Sequence, residues 1–365
     1  LKPSTPVTSM PGRDGGVCGL PWPWPFKSWF TVPDLDMVQQ RSGRWVLAAI
    51  GRSPKEGRYT FRKLDQNSGL VLDGGEEVAR LICKVLSDEE LKWSCSGSLR
   101  EVKITKSELM KEMQSASNEG AYFVIPSQLN GIDSPNPNRV LKCLEECKSD
   151  EALFKRRGVR GHLAVHPAVG QFLLDNAGGA HGNGLNTVGK VLESIHSDQV
   201  EFQNGYLKVN PNSDESLRLL VANLHKMQPL VLEDVPAAGL RRSKTYTAAV
   251  HCVHLAFAST CPVDPSQGEK FQELSETLLA VQYLGALRRA AEKAVETRRK
   301  QKVFLVPPGE PCDDYCSQLI AGSVSRAIGL LKHDDFSQLE VHLLLEDENE
   351  WAKFAAELSK RHLDL

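Results

Sequence analysis

Val303-Phe304-Leu305-Val306-Pro307-Pro308-Gly309-Glu310-Pro311 is the stretch on which the fold turns. Four apolar residues of strand length run into a proline-rich loop, where fixed φ angles and missing amide hydrogens end any sheet ladder. Beyond it, Ile320, Val324, Ala327 and Leu331 share one face of a helix over 313–331. Val341-His342-Leu343-Leu344-Leu345 is a second apolar strand, and a last helix carries Trp351, Phe354, Ala355 and Leu358 on its apolar side. This alternation predicts right-handed crossovers and a mainly parallel sheet with helices on both faces.

The same texture continues upstream. Phe271, Leu274, Leu278, Val281 and Leu284 begin a helix running to about Arg299, and 246–259 contains a central strand. Leu217, Leu220, Val221 and Leu224 form a helical face, as do Leu185, Val188, Leu192 and Ile195. Pro167 can open a helix using Val169, Phe172 and Leu173, and Tyr122-Phe123-Val124-Ile125 is a short buried strand. Before residue 118 the pattern changes. Trp45–Ile50, Tyr59–Leu64 and Leu99–Ile104 read as strands and Glu76–Leu86 as a helix, with no catalytic pattern among them. The expected division is an extended arm (1–30), a small β-rich unit with one helix (31–117) and an α/β domain (118–365). In the arm, Trp22, Trp24 and Phe26 alternate with prolines and Trp29 follows three residues on; they suit docking onto the chain itself or onto a protein partner.

Composition narrows the function classes. With 41% hydrophobic and 25% charged residues over 365 positions, the chain can bury a core as a soluble protein. A net charge of −2 argues against a general nucleic-acid binder. The longest uncharged run, 245–263, holds His251 and His254 and reads as a buried strand rather than a membrane span. Nine scattered cysteines suit a reducing compartment, and no secretory h-region is visible. The cysteine usage favours a reducing compartment, cytoplasmic or organellar after loss of a targeting segment, without fixing which; a start at Leu1 leaves such a removed segment open.

From Gln282 to Leu358 the sequence resembles the second half of a macrodomain. The helix 282–291 precedes the core strand and its loop, Val303 to Glu310, and Val341-His342-Leu343-Leu344-Leu345-Glu346-Asp347-Glu348 matches the later strand and acidic turn. Upstream, Phe123-Val124-Ile125-Pro126-Ser127-Gln128-Leu129-Asn130 resembles the strand and Asn-bearing turn that open the family's cleft, and Gly158-Val159-Arg160-Gly161-His162-Leu163 its glycine-rich loop. The resemblance spans 118–361. It implies a three-layer mixed sheet with helices on both faces, and recognition of ADP-ribose or a related nucleotide, in some members with hydrolysis of ADP-ribosyl bonds. By that resemblance Gly158, Val159 and Gly161 form one lip of the cleft, Gly309 and Glu310 the other, and Ser127, Gln128 and Asn130 line it near a ribose. Glycines would let backbone amides approach a diphosphate. The chain departs from the family in lacking its run of consecutive glycines, and Pro311, Cys312, Asp313 and Asp314 stand where glycines flank an aromatic.

Other constellations have plainer readings. Asp175 to Gly184 is glycine-rich and fits a connection between helices or a cleft loop. His162 and His166 are four apart, but Pro167 disfavours a helix there; His251 and His254 should point to opposite faces of a strand. Cys143/Cys147 and Cys312/Cys316 read as small buried thiols, so no metal and no cofactor is expected. Seven basic residues within 288–302 form a solvated helix end or a contact for an acidic partner. Walker, GxSxG and GxGxxG patterns are absent. The sequence supports a nucleotide-binding module without efficient catalysis. The alternative is a structural or assembly subunit that keeps the fold and has lost the cleft. Hydrolysis, with Asn130 or Glu310 positioning water, is the least favoured reading.

Overall fold

The computed structural model describes residues 36–39, 45–50, 58–63, 102–141, 143–165, 169–170, 173–174, 186–195, 200–209, 214–224, 227, 229–237, 239–240, 246–247, 251–260, 269–308, 314–331 and 336–360. Three strands come first: β1 (Asp36–Gln39), β2 (Trp45–Ile50) and β3 (Arg58–Lys63). Then follow β4 (Lys103–Lys106), α1 (Leu109–Gln114) and β5 (Tyr122–Pro126). Three short helices succeed it: α2 (Leu144–Ser149), α3 (Glu151–Lys155) and α4 (Arg157–Leu163). A satellite region holds α5 (Gly189–Ile195), the hairpin β6 (Val200–Gln203) and β7 (Tyr206–Val209), and α6 (Asp214–Asn223). β8 (Leu230–Pro236), a small pair β9 (Gly239–Leu240) and β10 (Tyr246–Thr247), and β11 (Cys252–Ala258) lead back to the sheet. The chain closes with α7 (Glu269–Thr297), β12 (Gln301–Leu305), α8 (Asp314–Leu330), β13 (Leu339–Leu345) and α9 (Glu348–Lys360).

One sheet takes the order β1-β2-β3-β8-β11-β5-β12-β13-β4. From β11 to β4 all neighbours are parallel, while β8 runs antiparallel to β11, so the sheet is mixed. The two faces follow from alternation along each strand. Phe123, Ile125, Phe304 and Leu344 point to a core roofed by α1 and α4. Tyr122, Val124, Val303, Leu305 and Leu343 point to the core under α7, α8 and α9. This is the three-layer α/β architecture expected from the sequence. β5 is buried at every position because it is covered on both faces, which explains its unbroken apolar run. On the first face Phe123 stacks on Phe304 at 4.7 Å, and His342 stacks on the far side of Phe304 at 4.8 Å.

Strands of the 31–117 stretch enter this same sheet at both ends, β3 against β8 and β4 against β13. A third cluster joins Val188, Val191, Leu207, Leu217 and Leu220 to Leu274 and Leu278, and so seats the satellite on the first turns of α7. Trp351, expected on the apolar side of the last helix, instead faces water; Phe354 and Leu358 make the contact. Among the described residues no helix is long and apolar enough to cross a membrane.

Candidate functional site

β5 and β12 lie side by side and parallel, yet the chain leaves them in opposite directions. After β5 it climbs to α4 on the first face; after β12 it descends to α8 on the second. Such a switch opens a crevice beyond the carboxyl ends of the strands, the usual place for ligands in open α/β sheets. The loops after both strands start there, with the Val306 amide donating to the Val124 carbonyl (3.0 Å) and the Ser127 amide to that of Ala258 (2.9 Å).

The turn after β5 is self-contained. Gly131 sits at φ +82°, and the Asn130 Oδ1 accepts the Ile132 amide at 3.1 Å. Above it lies the β6–β7 turn, Asn204-Gly205, with φ of 47° and 81°, a geometry that favours asparagine followed by glycine. The Leu129 amide donates to the Gly205 carbonyl (3.0 Å), and Tyr206 donates its hydroxyl to the Ser134 carbonyl (2.6 Å). A Cβ on Gly205 would come within 2.5 Å of the Asn130 Oδ1. Asn130 is consequently 0% exposed and Ser127 5%; Gln128 alone of that trio keeps a partly open side chain.

Gly158, Val159 and Gly161 belong to helix α4, not to a loop, and this corrects the sequence reading. The glycines serve close packing. A Cβ at Gly158 would lie 2.1 Å from the Pro126 carbonyl, and one at Gly161 would lie 2.8 Å from Ile125 Cδ1. The Gly158 amide is already satisfied by Asp133 Oδ2 (3.1 Å). Gly309, Glu310, Trp22, Trp24, Phe26 and Trp29 lie outside the described residues, as does the glycine-rich 175–184 stretch. The structure thus brings Ser127, Gln128, Asn130, Gly158, Val159 and Gly161 to one edge, with most of their polar groups committed internally.

What the sequence reading missed there is charged. Arg156 donates Nε to Asp133 Oδ1 (3.0 Å), Arg160 pairs with Glu346 (2.6 Å), and Arg157 pairs with Glu350 (2.5 Å) and reaches the Pro307 carbonyl (3.5 Å). These bonds tie the front of α4 to the loops after β5, β12 and β13. The signal was present as the basic run Lys155-Arg156-Arg157, and Asn204-Gly205 between alternating residues was a hairpin signal. His162 is buried, with Nδ1 2.6 Å from the Gly158 carbonyl and Nε2 2.9 Å from that of Gly131. Burial lowers its pKa, against the two carbonyls and Asp133, which favour the charged ring. With both nitrogens so engaged it is no metal ligand, and among the described residues no group of three or more His, Cys, Asp or Glu could hold a metal ion. The Ser134 hydroxyl is buried without a hydrogen-bond partner among the described residues.

A second polar cluster lies at the opposite, amino edge. Glu233 accepts from Arg289 and from the Tyr122 hydroxyl (3.1 Å), deep under α7. Burial alone would raise the Glu233 carboxyl, but the Arg289 bond and the charges of Arg289 and Lys293 outweigh it and hold it at about 2. Next to it the His254 ring packs on Tyr122 at 4.4 Å and accepts the Asp234 amide at Nδ1 (2.9 Å); burial lowers it to about 4. Asp234 takes φ +54° where the β8–β11 ladder shifts register. His251 bonds the Met113 carbonyl on the other face, so the two histidines do point apart.

No family model matches the chain, and no curated protein matches it. Among solved structures it is similar to the poly(ADP-ribose) glycohydrolase of Deinococcus radiodurans in complex with ADP-ribose. Identity is 12% and the TM-score 0.34, over 80% of this chain and 93% of that one. At that level the likeness assigns no role to any residue here.

Proposed function

We propose that the chain is a macrodomain-like module whose carboxyl edge binds ADP-ribose or a related nucleotide without turning it over. The observation that supports this reading is the parallel pairing of β5 and β12, after which the chain leaves toward opposite faces of the sheet, the arrangement at which open α/β sheets usually take their ligands. Arg156 and Arg160, on that rim, keep 24% and 17% of their side chains exposed and can trade a carboxylate for a phosphate. Catalysis needs a base free to take a proton. The carboxylates described at this edge, Asp133, Glu346 and Glu350, are each held by an arginine. Calorimetric titration with ADP-ribose should give heat in the micromolar range, and incubation with an ADP-ribosylated protein should release no ADP-ribose. Heat absent at millimolar ligand ends the binding claim; release at enzymatic rates ends the claim of silence.

One observation favours the second reading, an assembly subunit without a working cleft. The Asn204-Gly205 turn covers Asn130, the residue that the resemblance assigns to the ribose. Silence in the titration, together with a stable oligomer in sedimentation, supports that reading.

A further inference from the structure

Helix α7 ends in a closure that is unusual for its residue. The Arg299 amide donates to the Ala294 carbonyl (3.1 Å) and the Arg298 amide to that of Val295 (3.3 Å), the paired bonds that finish a helix through one left-handed residue. That residue is Arg298, at φ +52°, a position favouring glycine or asparagine because a Cβ crowds the following carbonyl. Arg299 and Lys300 follow it, all three are exposed, and none has an ion pair among the described contacts. The nearby acids Glu292 and Glu296 are turned onto Arg289 instead. Beside the cations Val295 is 68% exposed, the most open of the large apolar side chains among the described residues. Attraction of cations to a helix carboxyl end explains basic residues in the last turn. It explains neither an arginine in a strained slot beyond the helix nor a bare valine next to it.

We infer that Val295, Arg298, Arg299 and Lys300 form a docking surface for an acidic protein segment that carries an apolar residue. The cations meet its carboxylates, and Val295 meets its apolar side chain, a contact that a phosphate backbone would not reward. The surface lies at the amino edge, away from the candidate nucleotide crevice, so ligand and partner can be held together.

The test uses the full chain and fluorescence anisotropy with three probes: a short polyglutamate peptide with a central leucine, its central-serine twin, and a thymidine homopolymer. The leucine peptide should bind best. Reversing two cations in R299E/K300E should weaken it about tenfold, and V295S should erase its advantage over the serine twin. R298G should weaken the peptide while raising the unfolding midpoint by about 2 °C, since glycine fits the left-handed slot; a merely structural arginine would not separate those two readouts. Equal binding of the two peptides, tighter binding of the homopolymer, or an R298G chain that unfolds earlier would each overturn the inference.

Discussion

At the amino edge Arg289 meets Glu233 with both side chains at most 6% exposed, whereas at the carboxyl edge Arg156 meets Asp133 with 24% of its own side chain in water. The chemistry is the same and the consequences differ. Removing two charges from water costs several kcal/mol, so a fully buried pair must stay matched, while an arginine that keeps part of its side chain in water can change partners at smaller cost. The amino-edge pair fastens α7 to β8 as part of the core. The carboxyl-edge pairs fasten the segments beyond the strand ends, where, on the proposed function, an arriving anion would compete with them.

The largest break of this contrast is Glu233→Gln. It removes the buried carboxylate from Arg289, which keeps Glu292 and Glu296 at 3.2 and 2.8 Å, and should lower stability by about 2–3 kcal/mol in urea titration; a loss near zero would mean that these two acids and water replace the pair in full. Acid comes next. His254 is held near 4 by burial, and the unfolded ring titrates near 6.5, so the unfolded state takes up its proton first. Its contribution is complete above pH 6.5 and fades as pH falls toward 4, with a slope of about 1.4 kcal/mol per pH unit for one proton. Glu233, depressed to about 2 from 4.5, extends the loss from pH 4.5 downward. His254→Asn should flatten the upper window only in part, because burial also lowers His162 and His342.

Two smaller changes probe the carboxyl edge. Gly205→Ala combines a left-handed backbone with the Asn130 contact and should cost about 2 kcal/mol, with faster amide exchange at Leu129. If exchange there is unchanged, the hairpin does not hold the turn. Asp133→Asn should cost only about 1 kcal/mol, since Arg156 can turn to water. It should tighten ADP-ribose severalfold by freeing that guanidinium; weaker binding would place Asp133 on the ligand's side.

Much of the layered sheet was legible because β5, β12 and β13 are continuous apolar runs between helices of 3.6-residue period. α7 and α8 end within two residues of the boundaries drawn from the sequence. The carboxyl edge was harder. Gly158 and Gly161 were read as a loop through the family resemblance, yet what selects them is the approach of α4 to Pro126 and Ile125. Strand β8 escaped notice because Glu233 and Asp234 interrupt its apolar run, and the partners that make the buried Glu233 tolerable, Arg289 and Lys293, lie far along the chain. The role of Arg156, Arg157 and Arg160 went unread because their partners Asp133, Glu346 and Glu350 lie far along the chain, two on loops and one in α9. Such pairings belong to the tertiary fold and leave no periodicity behind.

The place of β5 in the sheet also governs how the chain must be made. Both of its neighbours, β11 and β12, are synthesised long after it, with the satellite region and then α7 in between. While the ribosome works, an apolar strand with two open ladders has nothing native to pair with. Slow, late-closing assembly follows from such distant contacts. Chains interrupted before β12 should aggregate through β5 or depend on a chaperone, whatever the finished protein binds.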